Sequence, residues 1–307
     1  MKKDIICKNC GSDRLIKYGR AKNKYNKKQR YYCKACETYI TNRKSIKGFR
    51  TPAKVMSEGI DDHEDGKSFW KISYRIGKSP STIFNWATNV PQKLVKEVAN
   101  RISNACFSNV RHADISDIMM TKIKVFNKKK GKYEMKSRKA NLWASKDNTS
   151  KFIVTHHLSM KKDKNAAYEF FNKMLESPRF KYIITDGAFS FNEPIEQVLN
   201  SNKKYGDKQK VKHIIITKAK RKKDRGVNNL IERTFDDVKS RTKVTRRYKK
   251  LDSMKKTFYT MMLNANFLKP HLSLKKSTPA DIAGIGIKHG RTIGFYDLLL
   301  DFGLFHI

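Results

Sequence analysis

The strongest constraint on this chain is residues 180–189, FKYIITDGAF. Within them Tyr182–Thr185 is a short apolar, β-branched run, the form of a buried strand, and it stops at Asp186-Gly187. Just before it, residues 164–175 place Ala167, Tyr168, Phe171 and Leu175 at helical spacing, and Pro178 closes that helix. A strand delivered by a helix must return parallel to an earlier strand. The chain therefore has to contain an α/β layer, with the carboxylate of Asp186 where its sheet meets solvent. An isolated Asp-Gly only makes a turn, so its neighbours decide whether it does more.

Upstream, period-two patterning begins at Val110 and runs to Phe126, followed by a Lys-rich turn over residues 127–132. Residues 142–145 and 152–155 form two further strands around a turn at Asp147-Asn148, giving a three-strand antiparallel meander. Downstream we expect a short helix over 193–199, a polar loop over 200–210 and a strand over 211–217, then a basic run over 218–225. A helix over 228–241, capped by Asn228 or Asn229, sets Ile231, Phe235 and Val238 on one face and Glu232, Asp236 and Lys239 on the next. A last long helix runs from about 251 to 268 and stops before Pro270. The apolar ending, 294–306, can pack on the core or mediate pairing. His112 and His213 read as strand residues with satisfied rings, His271 as structural, and Cys106 as a small buried hydrophobe.

The amino-terminal part follows different rules. Cys7-x-x-Cys10 and Cys33-x-x-Cys36 are separated by 22 residues. Each pair lies on a tight turn and aims two thiolates at one tetrahedral ion, so one structural Zn²⁺ is expected, in a ribbon too small to fold without it. Lys22, Lys24, Lys27, Lys28 and Arg30 would line its hairpin. A candidate helix opening at Pro52 fades in the acidic patch 61–65. Next come apolar Phe69, Ile72 and Ile76, then Gly77, then Ser79-Pro80 opening another helix. That order is the pattern of a helix-turn-helix. Its second helix would offer Ser81, Thr82 and Asn85 to a major groove while Ile83 and Trp86 pack inward. Residues 91–106 form a linking helix that packs through Leu94, Val95, Val98 and Ile102.

Charge names the partner. The 307 residues carry 68 Lys and Arg against 28 Asp and Glu, a formal net charge of +40 spread along the whole chain. This selects a polyanion, with nucleic acid ahead of a membrane surface, because no basic amphipathic helix stands apart from the rest. No apolar run approaches the roughly 18 residues of a membrane span and the first residues do not resemble a signal peptide. A soluble, cytoplasmic protein without a membrane partner is expected, associated with the nucleoid when bound to DNA.

Three acids stand out on separate elements: one in the first meander strand, Asp186, and Glu232. Carboxylates gathered at a sheet edge repel one another unless a divalent cation lies between them, and two such ions suit in-line displacement at phosphate. The order of elements, with residues 110–116 (VRHADIS), 183–187 (IITDG), 228–233 (NNLIER), 266–271 (NFLKPH) and 277–284 (STPADIAG), resembles prokaryotic insertion-sequence transposases of the DDE type over about residues 5–286. The resemblance implies a ribonuclease H-like mixed five-stranded sheet flanked by helices, preceded by the zinc ribbon and the helix-turn-helix. It implies Asp114, Asp186 and Glu232 as catalytic ligands of two Mg²⁺ (or Mn²⁺) ions. It further implies Lys239 and Arg241 on the DNA backbone, terminal inverted repeats and target DNA as partners, and at least a dimer on DNA. The corresponding domains are a ribbon over 1–45, a helix-turn-helix over 46–90, a linking helix over 91–108, a catalytic domain over 109–270 and a tail over 271–307.

Two departures from the family pattern remain. Ile115 and Ser116 follow Asp114 where the family carries Glu and a hydroxyl residue, and Asp117 offers a competing alignment; strand alternation forbids both acids from facing one site unless a bulge intervenes. The 45 residues between Asp186 and Glu232 also exceed the usual spacing, with the 200–210 loop as the place for the excess. The rival reading is a non-catalytic DNA-binding protein descended from a transposase.

Overall fold

Hydrophobic alternation from residue 110 onward and the helical periods between strands build one layered domain. The structure is a computed structural model. It describes the chain apart from residues 1–6, 8, 11, 24–25, 42–45, 47, 129, 187–188, 205–210, 217–228, 246–247, 288–293 and 305–307. The expected basic run 218–225 and most of the 200–210 loop lie outside the described residues. The chain divides into two compact units, residues 1–54 and 55–304.

The first unit is a three-stranded antiparallel sheet of β1 (Leu15–Asn23), β2 (Asn26–Cys33) and β3 (Tyr39–Thr41), in that order. The rings of Tyr18, Tyr32 and Tyr39 cluster on it, with Tyr18–Tyr39 at 4.8 Å and Tyr32–Tyr39 at 5.1 Å.

The second unit begins with helices α1 (Ala53–Glu64), α2 (Phe69–Ile76), α3 (Pro80–Asn89) and α4 (Val95–Ser103). Ser68 and Ser79 cap α2 and α3 through their hydroxyls, and Pro80 occupies the first turn of α3. Gly77 makes the sharp turn between them in the left-handed region, φ +69°, where a side chain is strained. Ile72, Ile83 and Trp86 are buried as expected. Val95 is not: it is 45% exposed, because the chain leaves α3 through a 3₁₀ turn, Pro91–Leu94, that rotates the start of α4 by comparison with one continuous helix. Cys106 is also exposed, contrary to expectation, because it lies on the irregular segment after α4.

Then comes the five-stranded sheet: β4 (Val110–Asn127), β5 (Lys132–Asp147), β6 (Ile153–Ser159), β7 (Tyr182–Thr185) and β8 (Lys212–Ile215), ordered β6-β5-β4-β7-β8. β4, β5 and β6 form the antiparallel meander; β7 pairs parallel with β4, and β8 parallel with β7. Helix α5 (Lys164–Leu175) makes the crossover, and α6 (Phe189–Lys204) extends past the short helix expected there. Phe170, Phe171, Met174, Ile195 and Val198 pack with Ala113, Trp143 and Ile183 on one side of the sheet. On the other, α7 (Asn229–Val244) and α8 (Leu251–Leu263) pack Ile231, Phe235, Val238, Met254 and Phe258 on Ile118, Met120, Ala140 and Leu142. After a π turn, Asn264–Leu268, come α9 (Pro279–Ile282) and α10 (Phe295–Asp301).

The apolar tail packs on the core. Phe295, Leu298 and Leu299 are buried, Phe302 meets Phe267 edge-on, and Asp301 is paired with Arg101 at 2.5 Å. Asp61, at the end of α1, accepts the Phe295 N–H at 2.9 Å. Burial pushes the Asp61 carboxyl up to about 6 against that hydrogen bond.

Candidate active site and metal centre

β4 carries the decisive geometry. Ala113 and Ile115 belong to the core under α5 and α6, whereas Ile118 and Met120 belong to the core under α7 and α8. Asp114 shares the parity of Ile118 and Met120, so it lies on the α7 side of the sheet. It is buried at 7%, and its Oδ1 accepts the Ile115 N–H at 2.7 Å. Asp117 has the opposite parity and is exposed, paired with Lys139 of β5 at 3.1 Å. The register of β4 with β7, Val110↔Tyr182 to His112↔Ile184, has an offset of 72 residues, which brings Asp114 level with Asp186. Asp186 follows the carboxyl end of β7, the side of a parallel sheet on which ligands bind.

Glu232 stands in the first turn of α7, next to buried Ile231, so its helix covers the face that carries Asp114; Glu232 itself is exposed. One acid thus lies in β4, the second just past the end of the neighbouring strand β7, and the third on a helix that covers the same face. Among the described residues the four cysteines, and not the acids, form the one group of three or more ligands drawn tightly together.

The sequence reading missed what holds α7 in place. Lys146 of β5, cross-strand from His112, is buried and donates from Nζ to the Thr234 hydroxyl at 3.0 Å and the Leu230 carbonyl at 3.4 Å, on either side of Glu232. Burial pulls its ammonium down to about 8. A lysine in a strand gave no signal, since only the tertiary fold brings it beneath the helix. At the base of the same hairpin Arg111 and Asp147 form a fully buried ion pair at 2.5 Å. Asp147 also accepts from the backbone and hydroxyl groups of Ser108 and Ser150. The expected Asp147-Asn148 turn is therefore a buried polar anchor. Asn266 is another: its amide accepts from the Ile153 N–H at 2.8 Å and donates to the Ile153 carbonyl at 3.0 Å, fixing the start of β6.

Three of the histidines bond to neighbouring side chains. His213 Nε2 meets Thr185 Oγ1 at 2.7 Å, His112 Nε2 meets Asn148 Oδ1 at 3.1 Å, and His271 Nδ1 meets Ser273 Oγ at 2.8 Å. Ser81 and Asn85 of α3 are exposed, while the Thr82 hydroxyl lies 2.8 Å from that of Ser79. Lys239 is exposed on α7. Arg241 has a protein partner instead: it is half-buried and its guanidinium donates to the His63 carbonyl at the end of α1. Glu64 beside it is buried, and burial pushes its carboxyl up to about 7, with Arg241 opposing the rise.

In the first unit the four cysteine sulfurs lie within 4.8 Å of one another, with Cys7–Cys36 and Cys10–Cys33 each at 3.6 Å. A tetrahedron of thiolates at zinc-sulfur distance has edges of about 3.8 Å. The four sulfurs therefore fit one Zn²⁺. The Thr38 hydroxyl pulls the Cys36 thiol down to about 6, whereas the neighbouring Cys36 sulfur, against the backbone bond from Ser12, pushes Cys10 up to about 12. Thiols this close share protons unless a cation replaces them.

A mixed five-stranded sheet ordered β6-β5-β4-β7-β8 and flanked by helices is the architecture of a ribonuclease H-like domain. Residues 133–271 match the family model of a DDE domain, a segment that includes Asp186 and Glu232 and begins after Asp114. That segment is therefore similar to the DDE domains of insertion-sequence transposases. Similar solved structures include the catalytic core domain of BIV integrase, at 12% identity over 57% of this chain and 93% of that one with a TM-score of 0.36. They also include the HTLV-2 integrase catalytic core domain in complex with magnesium, at 16% identity over 58% and 97% with a TM-score of 0.35. No curated protein sequence matches the chain. No described helix is long and apolar enough to cross a membrane.

Proposed function

We propose that the protein is a DNA transposase that binds terminal inverted repeats through its ribbon and helix-turn-helix and uses Asp114, Asp186 and Glu232 to cut DNA and join it to a target. The observation that carries this reading is that the β4–β7 register, continued by two residues, sets Asp114 of β4 level with Asp186 just past the end of β7, on the face covered by the helix that bears Glu232. Carboxylate oxygens are hard donors and suit Mg²⁺ or Mn²⁺. Two such ions, when bound, activate an attacking oxygen and stabilise a leaving one. The chain's own part is to hold the donors. The Ile115 N–H orients Asp114, the end of β7 presents Asp186, and Lys146 steadies the turn that carries Glu232.

In α3, Ser81 and Asn85 are open to a major groove, which supports their reading role; Lys239 is placed to reach a DNA backbone. Arg241 serves the junction of α1 with α7, a role that competes with direct DNA contact. Two DNA ends call for at least two copies, and DNA as substrate places the work in the cytoplasm at the nucleoid.

The test is a joining assay on DNA carrying the element's ends. Strand cleavage and transfer should require Mg²⁺ or Mn²⁺ and should vanish in Asp186→Asn while end binding persists. Full activity of that variant contradicts the metal-site assignment. Binding without metal-dependent joining in the unsubstituted protein establishes the non-catalytic alternative.

A further inference from the structure

The β4–β5 hairpin outgrows the sheet from which it starts. β5 pairs with β6 only over Asn141–Lys146, and β4 with β7 only over Val110–His112. Thr121 and Arg138 still reach the rest of the domain, donating to the carbonyls of Tyr248 at 3.0 Å and Lys249 at 3.2 Å. Past a register shift between Met120 and Ile123, the strands pair with each other alone among the described residues, from Ile123↔Lys136 to Asn127↔Lys132. A shift of this kind increases the local twist and turns a ribbon away from its sheet.

One face of this arm is apolar and aromatic in the open. Phe126 and Tyr133 are cross-strand partners with ring centroids 5.2 Å apart, Met135 stands opposite Lys124, and the Lys124 ammonium lies 4.8 Å over the Tyr133 ring. Phe126, Met135 and Tyr133 are 48%, 60% and 62% exposed. An exposed paired ribbon with such a face is a sticky edge unless something covers it. Charge says what: residues 119–139 contain nine Lys or Arg and one acid, Glu134. Two copies of so cationic an arm repel each other, whereas a phosphate backbone attracts it.

We propose that the β4–β5 arm is a separate DNA-contacting element that enters a groove of duplex DNA outside the carboxylate site. Its lysines lie along the phosphates, and the Phe126–Tyr133–Met135 face meets sugars and base edges. A two-stranded ribbon fits the major groove, about 12 Å wide. The paired part of the arm, Ile123–Asn127, reaches about 17 Å beyond the register shift at about 3.4 Å per residue, enough to cross a groove. Lys122, Lys124 and Lys136 supply charge along it, and the aromatic pair supplies a flat contact that any sequence can accept.

The experiment uses the full chain with its zinc, without Mg²⁺, on a fluorescein-labelled 40-base-pair duplex of mixed sequence and on one of its strands alone. Lys122→Gln/Lys124→Gln/Lys136→Gln should lower the slope of log Kd against log salt by about 2.7, at about 0.9 per lost phosphate contact. Phe126→Ser/Tyr133→Ser should weaken duplex binding about tenfold with the slope kept. All five side chains are solvent-exposed, so melting temperature and zinc content should match the unsubstituted protein and report intact folding. Unchanged slope and affinity in both folded variants overturn the proposal. So does a loss confined to the single strand, or variants that dissociate an oligomer seen by light scattering while duplex binding stays the same. Binding is read without divalent metal, so failure of the catalytic assignment leaves this result standing.

Discussion

Replacing Glu64 by Gln should stabilise the protein, and increasingly so as pH rises. Glu64 ends α1 and is 5% exposed; its Oε2 accepts from Asn264 at 3.4 Å, and its Oε1 has no hydrogen-bond partner among the described residues. Burial lifts the carboxyl from an ordinary 4.5 to about 7, with Arg241 and Asn264 opposing the rise. At about 1.4 kcal/mol per pH unit, keeping this group ionised costs the folded state about 3 kcal/mol at pH 8. The sign follows from proton binding. Between 4.5 and about 7 the folded state holds the proton that the unfolded state has lost, so stability falls as pH rises through that window. Glutamine removes the dependence but still needs burial of a polar amide, which leaves a net gain of about 2 kcal/mol at pH 8 and less than about 1 kcal/mol at pH 5. For a unit of this size the gain corresponds to a rise of roughly 4–8 °C in Tm. Thermal unfolding of both proteins at pH 5, 6, 7 and 8 measures the difference. A gap that stays constant, or is widest at pH 5, refutes the reasoning.

Other consequences are equally direct. Lys146→Met should keep DNA binding but lower joining about 10- to 100-fold and raise the Mg²⁺ concentration needed, because the turn carrying Glu232 loses its tether; Lys146→Arg should restore part of the loss, and an unchanged metal requirement would contradict the positioning role. Asp114→Asn should abolish joining while Asp117→Asn leaves it within about twofold, since Asp117 is an exposed pair with Lys139, and the reverse outcome in the same assay exchanges the two roles. Asp147→Asn should destabilise the second unit by about 3–5 kcal/mol in urea unfolding, because it strands the buried charge of Arg111. Chelating zinc, or Cys10→Ser, should unfold the first unit as seen by near-ultraviolet circular dichroism, leaving the second unit's transition in place.

Most of the framework was legible before the structure. Period-two runs, the amphipathic stretch at 164–175 and the apolar run 182–185 fix the meander, the crossover and the parallel return, because burial periodicity is local in sequence. Ser79-Pro80 marks a helix start for the same local reason. The second meander strand, by contrast, was expected only over 142–145 yet begins at Lys132, because charged side chains on an exposed ribbon hide the alternation. The site divides along the same line. Asp186 was a candidate because it ends an apolar run, whereas the faces on which Asp114 and Asp117 lie needed the sheet, whose parity puts only Asp114 under α7. Lys146 beneath Glu232 and Arg241 on the His63 carbonyl are contacts between residues 88 and 178 positions apart in sequence, beyond any local pattern.

The central claim is that Asp114 and Asp186 jointly hold a divalent ion. Crystals soaked in Mn²⁺ and measured at the manganese absorption edge test it most directly. An anomalous peak is expected within about 2.3 Å of a carboxylate oxygen from each of Asp114 and Asp186, and none at Asp117. A peak at Asp117, or an empty map between Asp114 and Asp186 at saturating Mn²⁺, would contradict it.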